Sequence, residues 1–94
     1  MDLRVSLGVR EKLETKHKVT IGEVEQCFAN RQGRFLEDLR ERHRTVPPTR
    51  WFIARTDDGR ILKVVFILRG RAVHLRTAFE PEESAIRLYG LYGR

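Results

Sequence analysis

The apolar positions of this chain change period along its length, and the changes divide it into elements. Leu3, Val5 and Leu7 alternate weakly with polar neighbours, which predicts a short strand or lead-in over 2–7. Val9 and Leu13 then stand four apart among charged residues, the spacing of a short amphipathic helix ending near His17. Thr20 followed by Glu23 forms a capping box, flanked by Val19 and Val24 as a hydrophobic staple, and it opens a second helix. Ile21, Val24, Cys27 and Phe28 make that helix's apolar stripe, and the stretch 30–33 ends it. From Arg34 the pattern is that of strands. Residues 34–40 read as a charged edge strand and Pro47-Pro48 as a loop. Residues 51–56, 61–69 and 73–79 read as three further strands joined by turns at Asp58-Gly59 and Gly70-Arg71. Glu80-Pro81-Glu82-Glu83 supplies a cap, a first-turn proline and dipole-matched acids for a last helix, whose apolar face is Ala85, Leu88, Tyr89 and Tyr92. The expectation is one α+β domain over 1–94: two short N-terminal helices, an antiparallel meander of three to four strands, and a C-terminal helix. Helices are expected on one face of the sheet only.

Turn lengths set which side chains share a face, because paired residues project to the same side. A two-residue loop at Gly70-Arg71 pairs Ile67 with His74, Val65 with Arg76 and Lys63 with Ala78. Leu62, Val64, Phe66, Leu68, Val73 and Leu75 then form the core face. Lys63, Val65, Ile67, His74 and Arg76 occupy the open one. A two-residue loop at Asp58-Gly59 adds Phe52 to the open face and sends Trp51 inward, whereas a three-residue loop exchanges the two. Cations beside an aromatic ring on a sheet can hold a phosphate backbone and stack a base. The plainer reading of such a face is a solvated surface.

Charge bears on that choice. The 94 residues carry a formal net charge of +6 and a sequence pI near 10.2. That surplus favours anionic partners, either nucleic acid or an acidic protein segment. The single cysteine, Cys27, excludes an intramolecular disulfide and lies on a helix's apolar stripe, as a packed thiol would. With no signal-like or membrane-spanning apolar run, a cytoplasmic location is expected. Metal chemistry finds little support, since His17, His43 and His74 have no cysteine or carboxylate partners at ligand spacing, and no cofactor is expected. RNA cleavage needs none. The 2′-hydroxyl serves as nucleophile, given a base for its proton and cations for the developing charge. Lys63, His74 and Arg76 are the candidates for that work on the open face. His17, beside Lys16 and Lys18 between two helices, reads first as a solvated loop residue.

The order of these features resembles a known family. Lys16-His17-Lys18-Val19-Thr20, with the helix ending in Phe28, is similar to the Lys-His-x-Val-Ser/Thr segment of BrnT-type toxins, which belong to the RelE-like ribonuclease toxins. The stretch 58–66, Asp-Gly-Arg-Ile-Leu-Lys-Val-Val-Phe, resembles that family's Gly-Arg-x-Leu-x-Val-Val-Tyr strand. Residues 73–78 resemble its penultimate strand, and Glu83, Arg87 and Tyr89 its last helix. The resemblance implies a compact ribonuclease that inhibits translation and is neutralised by a cognate antitoxin. By position it makes Lys16, His17, Arg60 and Arg76 functional candidates; with Phe52, the first three are expected to contact RNA. One stretch departs from the pattern. The family strand ends in Ser-Ala-Arg, while this chain reads Thr77-Ala78-Phe79-Glu80. The departure keeps a second reading open, a non-catalytic module of the same fold that binds nucleic acid or an acidic protein.

Overall fold

The computed structural model describes residues 1–40 and 44–94, so His43 lies outside the described residues. Its elements are β1 (Asp2–Arg4), α1 (Leu7–Lys12), a π-helical turn (Leu13–His17), α2 (Ile21–Asn30), β2 (Leu36–Glu37), β3 (Thr49–Arg55), β4 (Ile61–Arg69), β5 (Ala72–Phe79) and α3 (Glu83–Tyr92). The class is α+β. The five strands form one sheet in the order β1-β5-β4-β3-β2, antiparallel except that β1 runs parallel to β5. The expected meander is therefore its centre, extended by a parallel strand that a three-residue weak alternation announces poorly. The expected edge strand over 34–40 shrinks to the two residues of β2.

Local chemistry explains where the helices begin. Ser6 caps α1 by accepting from the Val9 N–H. The Thr20–Glu23 capping box is fully formed: Thr20 Oγ1 accepts from the Glu23 N–H, and Glu23 Oε1 accepts from the Thr20 N–H, both at 3.0 Å. α3 begins later than expected. Its N-cap is Glu82, whose side chain makes no capping bond, and Pro81 lies before the helix instead of in its first turn.

The core lies between α1, α2 and one face of the sheet. Phe52, Phe66, Leu62, Val64, Val24 and Cys27 are fully buried there. The rings of Phe28, Phe35, Phe52 and Phe66 pack edge-on or tilted, with centroids 4.8 to 6.3 Å apart. Burial pushes the Cys27 thiol up to about 11, as befits a packing residue.

Helices do not keep to one face. Tyr89 of α3 packs on Trp51 from the opposite side, with ring centroids 5.6 Å apart. The Tyr89 hydroxyl donates to the Arg34 carbonyl, and a side chain at Gly33 would collide with the Tyr89 ring and the Gly93 carbonyl. α3 is thus pinned at its C-terminal end. Elsewhere its apolar face stays open: Leu88 is 45% and Tyr92 63% exposed. An apolar groove of about 1030 Å³ runs beneath it, lined by Leu36, Leu39, Trp51, Lys63, Leu88 and Tyr92.

Candidate nucleic-acid interface

Two backbone details decide which side chains meet on the open face. The β3–β4 turn places Arg55 opposite Ile61, Ile53 opposite Lys63 and Trp51 opposite Val65. The Thr56 N–H donates to the Arg60 carbonyl at 2.8 Å, leaving a three-residue loop with Gly59 at φ +85°. Trp51 is therefore on the open face, and Phe52, expected there as an RNA contact, is 0% exposed in the core. The error is one residue of loop length, and it inverts the whole strand.

The second detail is a bulge in β5. Ile67 pairs with His74 and Phe66 with Leu75, as expected. Val65 then pairs with Thr77, Val64 with Ala78 and Lys63 with Phe79. Arg76 is the extra residue, so Val65–Arg76 and Lys63–Ala78 are not partners. Beyond the bulge Ala78 turns into the core and Phe79 stands beside Lys63.

The result is a row of alternating rings and cations. Lys63 Nζ lies 4.4 Å from the Trp51 ring centre and 5.9 Å from that of Phe79. The His17 ring also packs on Phe79, at 5.6 Å between centroids. His17 reaches it because β1 pairs only with the first residues of β5, and the π-helical turn packs along the rest. A cleft of about 370 Å³ opens here, walled by Lys63, Arg76, Arg40, Arg44, Phe79 and Trp51. Arg40 holds Asp38 at 2.9 Å. Trp51 is only 7% exposed, whereas Phe79 is half-buried and is the more accessible of the two rings.

Electrostatics follows from the crowding. Burial pushes the Lys63 ammonium below its ordinary range and Arg40 adds to this, while Asp38 opposes it. Burial likewise lowers His17, helped by Lys16 and Lys12. The imidazole is therefore neutral near pH 7 and can accept a proton.

The expected catalytic trio is thus only partly assembled. Lys63 and Arg76 share the cleft. His74 is four residues along the sheet from Lys63, roughly 13 Å at strand rise, where it neighbours Arg4. His17, expected only as an RNA contact, takes the place nearer Lys63, with exposed Lys16 beside it. Sequence reasoning missed Arg40 and Arg44, whose fold over the sheet leaves no periodic signal. Phe79 did leave one: the alternation of Val73 and Leu75 resumes at Ala78, not at Thr77.

Arg60 has a different duty from the one implied by the resemblance. Its guanidinium donates to Glu80 at 2.7 Å, to both oxygens of Glu23 at 3.2 Å, and to the carbonyls of Lys18 and His17 at 2.7 and 3.2 Å. It ties the end of the π-helical turn, where Lys18 is left-handed, to the capping box of α2. Desolvation would raise the Glu23 carboxyl, but the Thr20 N–H and Arg60 outweigh it and hold that carboxyl below its usual value. Arg60→Ala should lower stability by about 2 kcal/mol, a melting temperature drop of roughly 10 °C. Arg60→Lys should not restore it, because an ammonium cannot serve these acceptors together. Calorimetry checks this; an unchanged melting temperature with lost RNA binding would return Arg60 to the interface.

Among the described residues, no group of three or more His, Cys, Asp or Glu side chains is placed to hold a metal ion, and no helix is long and apolar enough to cross a membrane. The fold and this cleft define a small α+β domain with a basic, aromatic-lined sheet face. No family model, curated protein or solved structure matches the chain.

Proposed function

We propose that the chain is a toxin-like endoribonuclease of the BrnT and RelE kind, acting on single-stranded RNA in the cleft between Lys63, Arg76 and Phe79 and neutralised by an antitoxin. The observation that carries this reading is a neutral imidazole and a half-buried ammonium that both lie against one half-buried ring, His17 at 5.6 Å and Lys63 at 5.9 Å from the centre of Phe79. A base stacks on Phe79, and its neighbouring phosphate lies against Lys63 and Arg76. His17 takes the 2′-hydroxyl proton as that oxygen attacks the adjacent phosphorus. The bond from phosphorus to the 5′-oxygen breaks, and the Lys63 ammonium returns a proton to the leaving oxygen. Arg76 balances the added charge on the phosphorane. The products are a 2′,3′-cyclic phosphate and a 5′-hydroxyl. A net charge of +6 suits an acidic antitoxin as well as RNA.

A second reading, binding without cleavage, is favoured by one observation: no carboxylate hydrogen-bonds the His17 ring among the described residues to orient it. The two separate in one assay, mixed single-stranded RNA incubated with purified protein in chelator. Cleavage to cyclic phosphate ends, lost in Arg76→Ala and in Lys63→Met, supports the enzyme. Intact RNA that still shifts on a gel supports the binding module. RNA neither cut nor bound overturns both.

A further inference from the structure

Beyond the cleft and the buried Ile67, the same face carries a second group of basic side chains toward the β4–β5 turn. The register puts Arg69 opposite Ala72, His74 opposite Ile67, and Arg4 beside His74, all on the side of Lys63. Arg71 sits in the adjoining turn. Neither β4 nor β5 contains an Asp or Glu. Asp2 lies in the same row, opposite Ala72, and is held by Arg4 at 3.1 Å. Arg69, Arg71 and Arg76 make no ion pair among the described residues.

A sheet face that served solubility alone would mix both signs. Elsewhere this chain does so: Arg60 meets Glu23 and Glu80, and Arg87 meets Glu83. Here Arg69, Arg71 and Arg76 stand without ion pairs among the described residues, and the carboxylates at the two ends of the row, Asp2 and Asp38, are held by Arg4 and Arg40. Lys63 and Arg69 are six residues apart on β4, roughly 20 Å at strand rise, with Arg76 between them. A mononucleotide or dinucleotide cannot reach from one to the other. A flexible single strand can follow the row, since its phosphates repeat along its length and its backbone bends to a twisted sheet.

We infer that Arg69, Arg71 and His74 form a second, non-catalytic phosphate-binding subsite, so that the ligand of this face is a single strand of about four nucleotides or more laid along β4 and β5. The inference rests on the reading of the cleft as an RNA site and adds its length and path.

The test is fluorescence anisotropy with labelled 2′-O-methyl oligonucleotides, which bind but cannot be cut, three and ten nucleotides long. The wild-type protein should bind the ten-mer more tightly than the three-mer. The double variant Arg69→Ala, Arg71→Ala should weaken the ten-mer by roughly tenfold, the weight of one charge-assisted hydrogen bond. Its log–log salt slope should fall by about 0.7 for each contact removed, with the three-mer unaffected. An unchanged affinity and slope for the ten-mer would sink the second subsite and leave the cleft standing. Failure of the wild-type protein to bind either oligonucleotide would sink both. A polyglutamate peptide weakened by the same variant, with the ten-mer untouched, would assign these arginines to a protein partner and overturn the inference.

Discussion

Phe52→Ala should remove most of the protein's stability while leaving the RNA site of the remaining folded molecules intact. Phe52 is 0% exposed and packs against Phe28 at 4.8 Å and Phe66 at 6.1 Å between centroids. Truncating a phenylalanine so placed costs about 3–5 kcal/mol, because the cavity left among rings held by α2 and two central strands closes only in part. Total stabilities are about 5–15 kcal/mol, and a 94-residue domain belongs in the lower part of that range. Chemical denaturation should therefore show a large fall in midpoint with little change in slope. Phe52→Leu should cost much less. If instead Phe52→Ala melted like the wild type and lost RNA affinity, the ring would be at the surface and the β3–β4 register would be that of a two-residue loop.

The second large effect is expected at His17. Removing a positioned general base costs about 10²- to 10⁴-fold in rate, so His17→Ala should lower single-turnover RNA cleavage by that order with binding little changed. The pH profile carries the sharper signature. The base must be neutral, so the rate rises with pH through the His17 pKa, which lies below the ordinary 6.5. Lys63 must be protonated, so the rate falls as pH passes its pKa, below the ordinary 10.5. The expected profile is a bell with a plateau around neutrality. His17→Ala should erase the acid limb, and Lys63→Met the alkaline one. A limb that survives in the matching variant would reassign that proton transfer.

Much of the fold is legible in the residues because local chemistry and core packing agree. The Thr20–Glu23 box, the Ile61–Arg69 strand and the turn at Gly70 all follow from patterns within a few residues. What was hidden depends on counts that no local preference fixes. One residue in the β3–β4 loop exchanges Trp51 and Phe52, both aromatic and both at home in a strand. One residue at Arg76 puts Phe79 in place of Ala78 beside Lys63. β1 and the segment around Arg40 are placed by contacts distant in sequence, and α3 takes the second face because Tyr89 finds Trp51 and the Arg34 carbonyl there. The basic face itself was visible from charge and alternation; its membership was not.

The bulge at Arg76 has a consequence for how this strand can vary. It acts as a phase shift: five residues from His74 bring Phe79 to the same side of the sheet, where a regular strand would turn it to the other. The extra residue is absorbed locally, and the pairing on both sides of it is that of a regular ladder. Point changes at Thr77 or Arg76 leave the phase alone. Deleting Arg76 removes the extra residue and leaves a regular ladder, with Ala78 still opposite Val64 and Phe79 still beside Lys63, so the core and the ring of the cleft persist and one cation is lost. Relatives that share this cleft should accordingly occur with and without the extra residue, those without it keeping the ring beside the lysine and lacking the cation.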